Sequence, residues 1–327
     1  MRATFRDVHA AETRPRRRSG KRPRVEYRLP SLRNPPNFRP LVTVAIPFFN
    51  EQRFLPNAVA TVRAQTESSW ELLLIDDGST DESGALADAI ALADPERVHV
   101  VRHPGGGNRG LPASRNLAID RGRGEFFCFL DADDLWSEFK LATQLELLGR
   151  HVDAVMVCGP SRHQPLGVEE PGPIVPVCAN APRVLRRGQF ARMRMRGRLT
   201  TPPPSDVMYR LATLREAGGV PVGAPMLEDQ RTFVAVSLFG RVVVDDRPLT
   251  TYTVRNDSMY GSTRDDGRAQ VDSHREFERW VVATCSRQGL QGLSVVACLL
   301  ERRLWRGVGR RLRTLRSRAY RRQAGHE

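Results

Sequence analysis

From Leu41 to Cys158, apolar runs of strand length alternate with segments of helical period, and this alternation restricts the fold more than any other feature of the chain. Leu41–Phe48 (LVTVAIPF) reads as a buried strand. Gln52–Gln65 follows with Phe54, Leu55, Ala58, Val59 and Val62 on one helical face. Trp70–Ile75 is a second strand, Asp81–Leu92 a helix, and Val98–Arg102 a third strand. A glycine loop over Gly105–Gly110 leads into a helix at Ala113–Arg121. Glu125–Leu130 (EFFCFL) is a fourth strand, Phe139–Leu148 a helix and Ala154–Cys158 another strand. Successive β-α units imply a mostly parallel sheet with helices on both faces. In such a sheet a ligand binds beyond the carboxyl ends of the strands.

The rest of the chain is organised around that block. Residues 1–40 lack apolar periodicity and hold Arg16-Arg17-Arg18 and several prolines, so they read as a disordered basic arm. Residues 41–160 form the first half of the body and 161–265 the second. Within the second half, 160–204 reads as irregular apart from a short helix near Gly188–Met195. Strands are expected at Asp206–Arg210, Arg241–Asp245 and Leu249–Val254, with helices running to Ala217 and over Glu228–Phe239. Residues 266–327 read as a basic helical extension, Ala269–Arg287 and then Ser294–Ala319.

Charge divides along the same lines. The formal net charge is +14, from 51 basic and 37 acidic side chains. Residues 1–40 carry +9 and residues 301–327 carry +8, which leaves the 260 residues between them at −3. A basic total of this kind does not describe a nucleic-acid-binding body. The helix over Val295–Leu315 mixes leucines with arginines at spacings of three and four, as expected either for docking on an anionic membrane surface or for packing on the body. No apolar run reaches the length of a membrane span, and the N-terminus has no apolar leader segment. Five cysteines without a C-x-x-C pair read as reduced, buried thiols of a cytoplasmic protein.

Four polar clusters follow the strands. Asp76-Asp77-Gly78-Ser79-Thr80-Asp81 comes directly after WELLLI. It can accept hydrogen bonds from a ring N–H, or it can be a turn with Ser79 or Thr80 capping the next helix. Asp131-Ala132-Asp133-Asp134 follows EFFCFL. Three carboxylates within four residues repel one another unless a cation joins them, which suits a divalent ion shared with a diphosphate. Gly105–Gly110 matches G-x-G-x-x-G, but it follows the third strand, and a dinucleotide fingerprint follows the first. Glu228-Asp229 opens a helix. Acids favour that position, and one of them can also serve as a general base toward an acceptor hydroxyl. The absence of H-E-x-x-H, G-x-S-x-G and Walker patterns argues against zinc hydrolases, serine hydrolases and P-loop enzymes.

In this order the clusters resemble the family 2 glycosyltransferases, inverting enzymes of the GT-A fold. The resemblance rests on VTVAIPFFNE (Val42–Glu51), ELLLIDDGSTD (Glu71–Asp81), the stretch Asn108–Asp134 with ASRN and FLDADD, and more loosely Asp206–Arg231 with VMYR, LREAGG and LEDQ. It covers about 41–255. It implies a nucleotide-sugar-binding half (41–160) and an acceptor-binding half (161–265). Pro47, Asn50, Glu51, Asp76, Asp77, Arg115, Asn116 and Asp131 would bind the nucleotide-sugar, Asp76 at the base and Asp131 at the ribose. Asp133 would hold Mn²⁺ or Mg²⁺ and the diphosphate. Asp229 would be the catalytic base, with Glu228 beside it. The implied activity is metal-dependent, inverting transfer of a sugar from a UDP- or dTDP-sugar to a hydroxyl of a saccharide, lipid-linked or small-molecule acceptor. Cell-envelope polysaccharide synthesis on the cytoplasmic face of the membrane is the expected setting, and no specific nucleic acid is expected. Phe48-Phe49, the Pro202-Pro203-Pro204 run and Arg231 depart from the family pattern. Two alternatives stay open at this level: a nucleotidyltransferase of similar fold, and a non-catalytic membrane- or nucleic-acid-binding protein with basic tails.

Overall fold

The computed structural model of the chain describes residues 39–223, 226–255 and 267–304. The expected arm, residues 1–40, lies outside the described residues up to position 38. The first half is built from β1 (Val42–Phe48), α1 (Leu55–Arg63), β2 (Trp70–Asp76), α2 (Ser83–Ala93), β3 (Val98–Arg102), α3 (Leu111–Arg121), β4 (Phe126–Phe129), β5 (Leu135–Trp136), α4 (Lys140–Arg150) and β6 (Ala154–Cys158). The chain continues through β7 (Ser161–Pro165), β8 (Ile174–Val175), β9 (Arg183–Leu185), α5 (Gln189–Met195), a 3₁₀ turn at Pro204–Asp206, β10 (Met208–Arg210), α6 (Leu211–Glu216), α7 (Glu228–Val236), β11 (Arg241–Val244) and β12 (Thr250–Val254). Two helices follow, α8 (Gly267–Cys285) and α9 over 289–304.

The main sheet has the order β3-β2-β1-β4-β10-β6-β11-β9. Six strands run parallel, while β10 and β9 run antiparallel to their neighbours. The mostly parallel sheet expected from the alternation is therefore present. Its strands are apolar on both faces because both faces are covered, and successive side chains divide between them. Val42, Val44 and Ile46 of β1 join Leu72 and Leu74 of β2 under α1, α2 and α4. Ala45, Leu73 and Ile75 face the other way, toward Ile119, Leu214 and Phe233. A third apolar cluster packs α8 and α9 onto α5 and α7 through Met195, Val234, Phe277, Val281, Val295 and Leu299.

After β1 the chain builds β2 on one side, and β4 pairs on the other. This reversal places the carboxyl ends of β1, β2 and β4 around one crevice, the usual ligand position in open sheets of this kind.

Several expectations need correction. Residues 160–204 are not irregular throughout, because β7, β8 and β9 fall there. β7 is the polar sequence SRHQP, and it becomes a strand by pairing in parallel with β12 some ninety residues away. These strands are two to five residues long, and β8 and β9 lie at sheet edges, so they carry no apolar run to betray them. The small second sheet, β5-β12-β7-β8, was likewise not expected. α2 begins at Ser83 with Glu82 at its N-cap, so neither Ser79 nor Thr80 caps it. The helix expected over Ser294–Ala319 starts at 289, and its part beyond 304 lies outside the described residues. All five cysteines are buried and free, as expected. No helix among the described residues is long and apolar enough to cross a membrane.

Candidate active site

The loop after β1 opens the crevice. Asn50 adopts the left-handed backbone conformation (φ 56°), which asparagine tolerates better than most residues. Its Oδ1 accepts hydrogen bonds from the N–H groups of Thr80 (2.7 Å) and Asp81 (3.3 Å), and its own N–H donates to Ser79 Oγ at 3.1 Å. Ser79 and Thr80 are thereby engaged with the neighbouring loop, which is why they do not cap α2. Pro47 is buried in β1, two residues beyond the last pairing with β4. A residue without an N–H is tolerated where a ladder has ended.

The two aspartates after β2 have different duties. Asp76 Oδ1 accepts the N–H of Ser79 (2.8 Å), and Oδ2 pairs with Arg102 Nε (3.1 Å). Asp77 turns toward the glycine loop and accepts the N–H groups of Arg109 (2.8 Å) and Gly110 (2.9 Å). Gly78, at φ +80°, lies under the same loop, and a Cβ there would come within 2.8 Å of the Asn108 nitrogen. The G-x-G-x-x-G stretch is therefore pinned by a carboxylate and a glycine of the neighbouring strand end.

Arg115 dominates the centre. It stands on α3, buried at 3% side-chain exposure, over the Phe129 ring. Its Nη2 pairs with Asp131 Oδ1 at 2.8 Å and its Nη1 with Glu228 Oε1 at 3.1 Å. One guanidinium thus joins a carboxylate after β4 to a carboxylate at the start of α7. Asn116, next in sequence, looks away from this centre. Its Nδ2 donates to the Val220 carbonyl (2.7 Å), and its Oδ1 accepts the Val220 N–H (2.8 Å). Both ends of its amide are taken by a turn, so in this arrangement it positions the 218–220 segment.

The three aspartates of DADD point three ways. Asp131 faces Arg115, and its backbone N–H donates to Ser205 Oγ (3.0 Å). Asp133 meets Arg255 Nε at 3.4 Å, while Arg255 grips Glu51 with both terminal nitrogens (2.8 and 3.1 Å). Burial and the nearby Asp131 push the Asp133 carboxyl up to about 6, against the pull of Arg255. Asp134 is fully buried and points inward. It accepts Ser205 Oγ at 2.5 Å and the Thr253 N–H at 2.9 Å. Burial, with Asp131 and Asp133 adding to it, raises its carboxyl well above the usual range. Ser205, Thr253 and Arg255 were not singled out from the sequence. They lie 71 to 204 residues from their partners, and nothing in their own neighbourhoods marks them.

Glu228 and Asp229 occupy the first turn of α7, after Leu227 in the left-handed conformation (φ 66°). A bulky residue there is strained, and such strain concentrates at functional sites. Asp229 lines a small recess with Arg115, Phe129, Tyr209, Thr232 and Phe233. Burial there, reinforced by Glu228 and opposed by Arg115, lifts its carboxyl to about 7.

Among the described residues no three His, Cys, Asp or Glu side chains stand together as a cage for a metal ion. Mg²⁺-type ions need no cage where a phosphate supplies the remaining oxygens, since one or two carboxylates suffice. Asp133, 20% exposed beside Asp131, fits that mode.

The profile of the family described as Glycosyl transferase family 2 matches residues 43–208. The putative teichuronic acid biosynthesis glycosyltransferase TuaG of Bacillus subtilis is 37% identical over 112 residues, which are 34% of this chain and 43% of that protein. Glycosyltransferase GlyG of Streptococcus pneumoniae is 33% identical over 119 residues, 36% of this chain and 38% of that one. The chain therefore matches less than half the length of either relative. Among solved structures, S. aureus TarS 1-349 in complex with UDP-GlcNAc superposes at a TM-score of 0.62 with 20% identity, over 80% of this chain and 72% of that one. Mannosyltransferase PcManGT from Pyrobaculum calidifontis, in complex with GDP-Man and Mn²⁺, does so at 0.54 with 17% identity, over 81% and 76%. At these identities the likeness is one of fold, and the fold is the GT-A type expected from the sequence.

Proposed function

The chain belongs to glycosyl transferase family 2, and from that membership we propose that it transfers a sugar from a nucleotide-diphosphate sugar to an acceptor hydroxyl with inversion at the anomeric carbon. The observation that carries this reading is the Arg115 bridge. It holds Asp131 and Glu228 at one centre, with Asp229 lining the recess beside Arg115.

In this reading Asp229 removes the acceptor proton. The acceptor oxygen forms a bond to the anomeric carbon as the bond from that carbon to the diphosphate oxygen breaks, and the electron pair leaves with the nucleoside diphosphate. A single displacement from the opposite face inverts the centre. A carboxyl held near 7 suits a general base at neutral pH. Arg115 holds Asp131 and Glu228 in place, and Arg255 sets a positive charge beside Asp133. A divalent ion on Asp133, Mn²⁺ or Mg²⁺, would stabilise the charge developing on the diphosphate. The Mn²⁺ of PcManGT supports this reading. The UDP-GlcNAc of TarS supports a UDP-sugar out of the UDP- or dTDP-sugars expected, with Asp76 at the base, Asp77 close by, and Pro47, Asn50, Glu51 and Arg115 framing the site, while Asn116 stands behind it on the Val220 turn. The name of TuaG, a putative teichuronic acid biosynthesis glycosyltransferase, supports a saccharide acceptor; a lipid-linked acceptor met on the cytoplasmic face of the membrane is part of the proposal.

The test is release of nucleoside diphosphate from a panel of nucleotide-sugars with Mn²⁺ or Mg²⁺. Asp229→Asn is expected to lower turnover by about 10²–10⁴-fold while leaving the thermal transition in place. No release from any donor by the unaltered chain, or release by D229N at its full rate, would overturn the proposal.

A further inference from the structure

Helix α9 has two apolar faces, and packing accounts for only one. Val295, Cys298 and Leu299 are buried against α5, α7 and α8. On the opposite side Leu290, Leu293, Ala297, Leu300 and Leu304 form a stripe at alternating spacings of three and four residues. The leucines in it are 84, 49, 48 and 71% exposed. Four leucines aligned on one face of a helix are unlike the scattered apolar residues that any surface carries.

We infer that this stripe is a docking surface for an anionic lipid bilayer. Charge selects that occupant over a second copy of the chain. Residues 301–327 carry ten arginines against two acids and continue directly from the stripe. Two copies joined along it would bring like charges together, whereas an anionic headgroup layer attracts them. An apolar face with arginines continuing from it is the composition of a helix that lies in the plane of a membrane surface. The part of α9 that packs on the body fixes which face looks outward, so the stripe is presented whether or not a bilayer is near. Sequence periodicity set membrane docking and packing on the body as alternatives. In α9 the two occupy opposite faces of one helix. The inference is independent of the transfer reaction, because lipid binding requires no turnover.

Co-sedimentation of the full-length chain with vesicles of phosphatidylglycerol and phosphatidylcholine, against vesicles of phosphatidylcholine alone, tests this. Binding is expected to the anionic vesicles only. The double variant Leu293→Ser with Leu300→Ser is expected to weaken it about tenfold or more at an unchanged melting temperature. If that variant unfolds, Leu290→Ser with Leu304→Ser replaces it at the two most exposed positions. Three results would each overturn the inference. The variants bind as tightly as the parent and only salt releases them, which assigns binding to the arginines alone. The chain ignores vesicles but sediments as a dimer that the serine substitutions dissociate. Or the chain stays monomeric and binds no vesicle.

Discussion

At the scale of single residues, Asp229 is expected to set the pH behaviour. Its carboxyl is raised from 3.8 to about 7, chiefly by burial. The folded state therefore holds this proton more tightly than the unfolded chain does. The stability so gained is complete below about pH 4 and lost as pH rises through about 7. With Asp229 as the proposed base, activity is expected to run the opposite way, because only the carboxylate can take a proton. kcat/KM is expected to fall about tenfold for each pH unit below about 7, following the free enzyme. A flat profile between about pH 5.5 and 8 would remove Asp229 from the role of base. DADD shows the reach and the limit of sequence reading at this scale. The repulsion among its carboxylates was legible, and so was the need for a cation. That Arg115 and Arg255 sit against Asp131 and Asp133, and that Asp134 turns inward, depends on elements far away in the chain.

At the scale of elements, the 3₁₀ turn Pro204–Asp206 supports the carboxylates from behind. Ser205 Oγ donates to Asp134, accepts the N–H of Asp131, and its carbonyl accepts Trp136 Nε1 at 2.7 Å. Asp206, also buried, accepts Thr250 Oγ1 at 3.0 Å and the Gly159 N–H. Ser205→Ala leaves a buried carboxyl and a backbone N–H short of a partner, and is expected to cost about 1–3 kcal/mol in a denaturant titration. The donor KM is expected to rise together with that loss. Unchanged stability with unchanged KM would show that the turn does not support the site. The unusual Pro202-Pro203-Pro204 run acquires a reason here, since it delivers Pro204 to the first position of the turn, where proline is tolerated. The alternation of β1 to β6 was legible because each strand is a continuous apolar run and each helix has one apolar face. β7 to β9 were not, because they are short, β7 is polar, and β7 and β9 pair with the distant β12 and β11.

At the scale of the whole molecule, Arg115 joins what the sequence treats as separate halves. Asp131 belongs to the first half and Glu228 to the second, and both close on one guanidinium. Arg115→Met would leave two partly buried carboxylates facing each other without a cation. A loss of about 3 kcal/mol in global stability and near-complete loss of transfer are expected. Calorimetry and the nucleoside-diphosphate assay check the two together. A variant of undiminished stability would mean that the halves are held by apolar packing alone.

The sequence by itself determined the parallel α/β core, the strand ends where the polar clusters stand, the reduced cysteines and the division of charge between a slightly acidic body and basic ends. Each of these follows from local periodicity or composition. Tertiary structure alone decided which carboxylate meets which arginine, that Asn116 serves a turn, that Ser205 and Thr253 brace DADD, and which face of α9 is left outward. The physical reason is range. Hydrophobic patterning is written every two to four residues, whereas a hydrogen bond or an ion pair between residues 70 to 200 apart exists only once the core has brought them together.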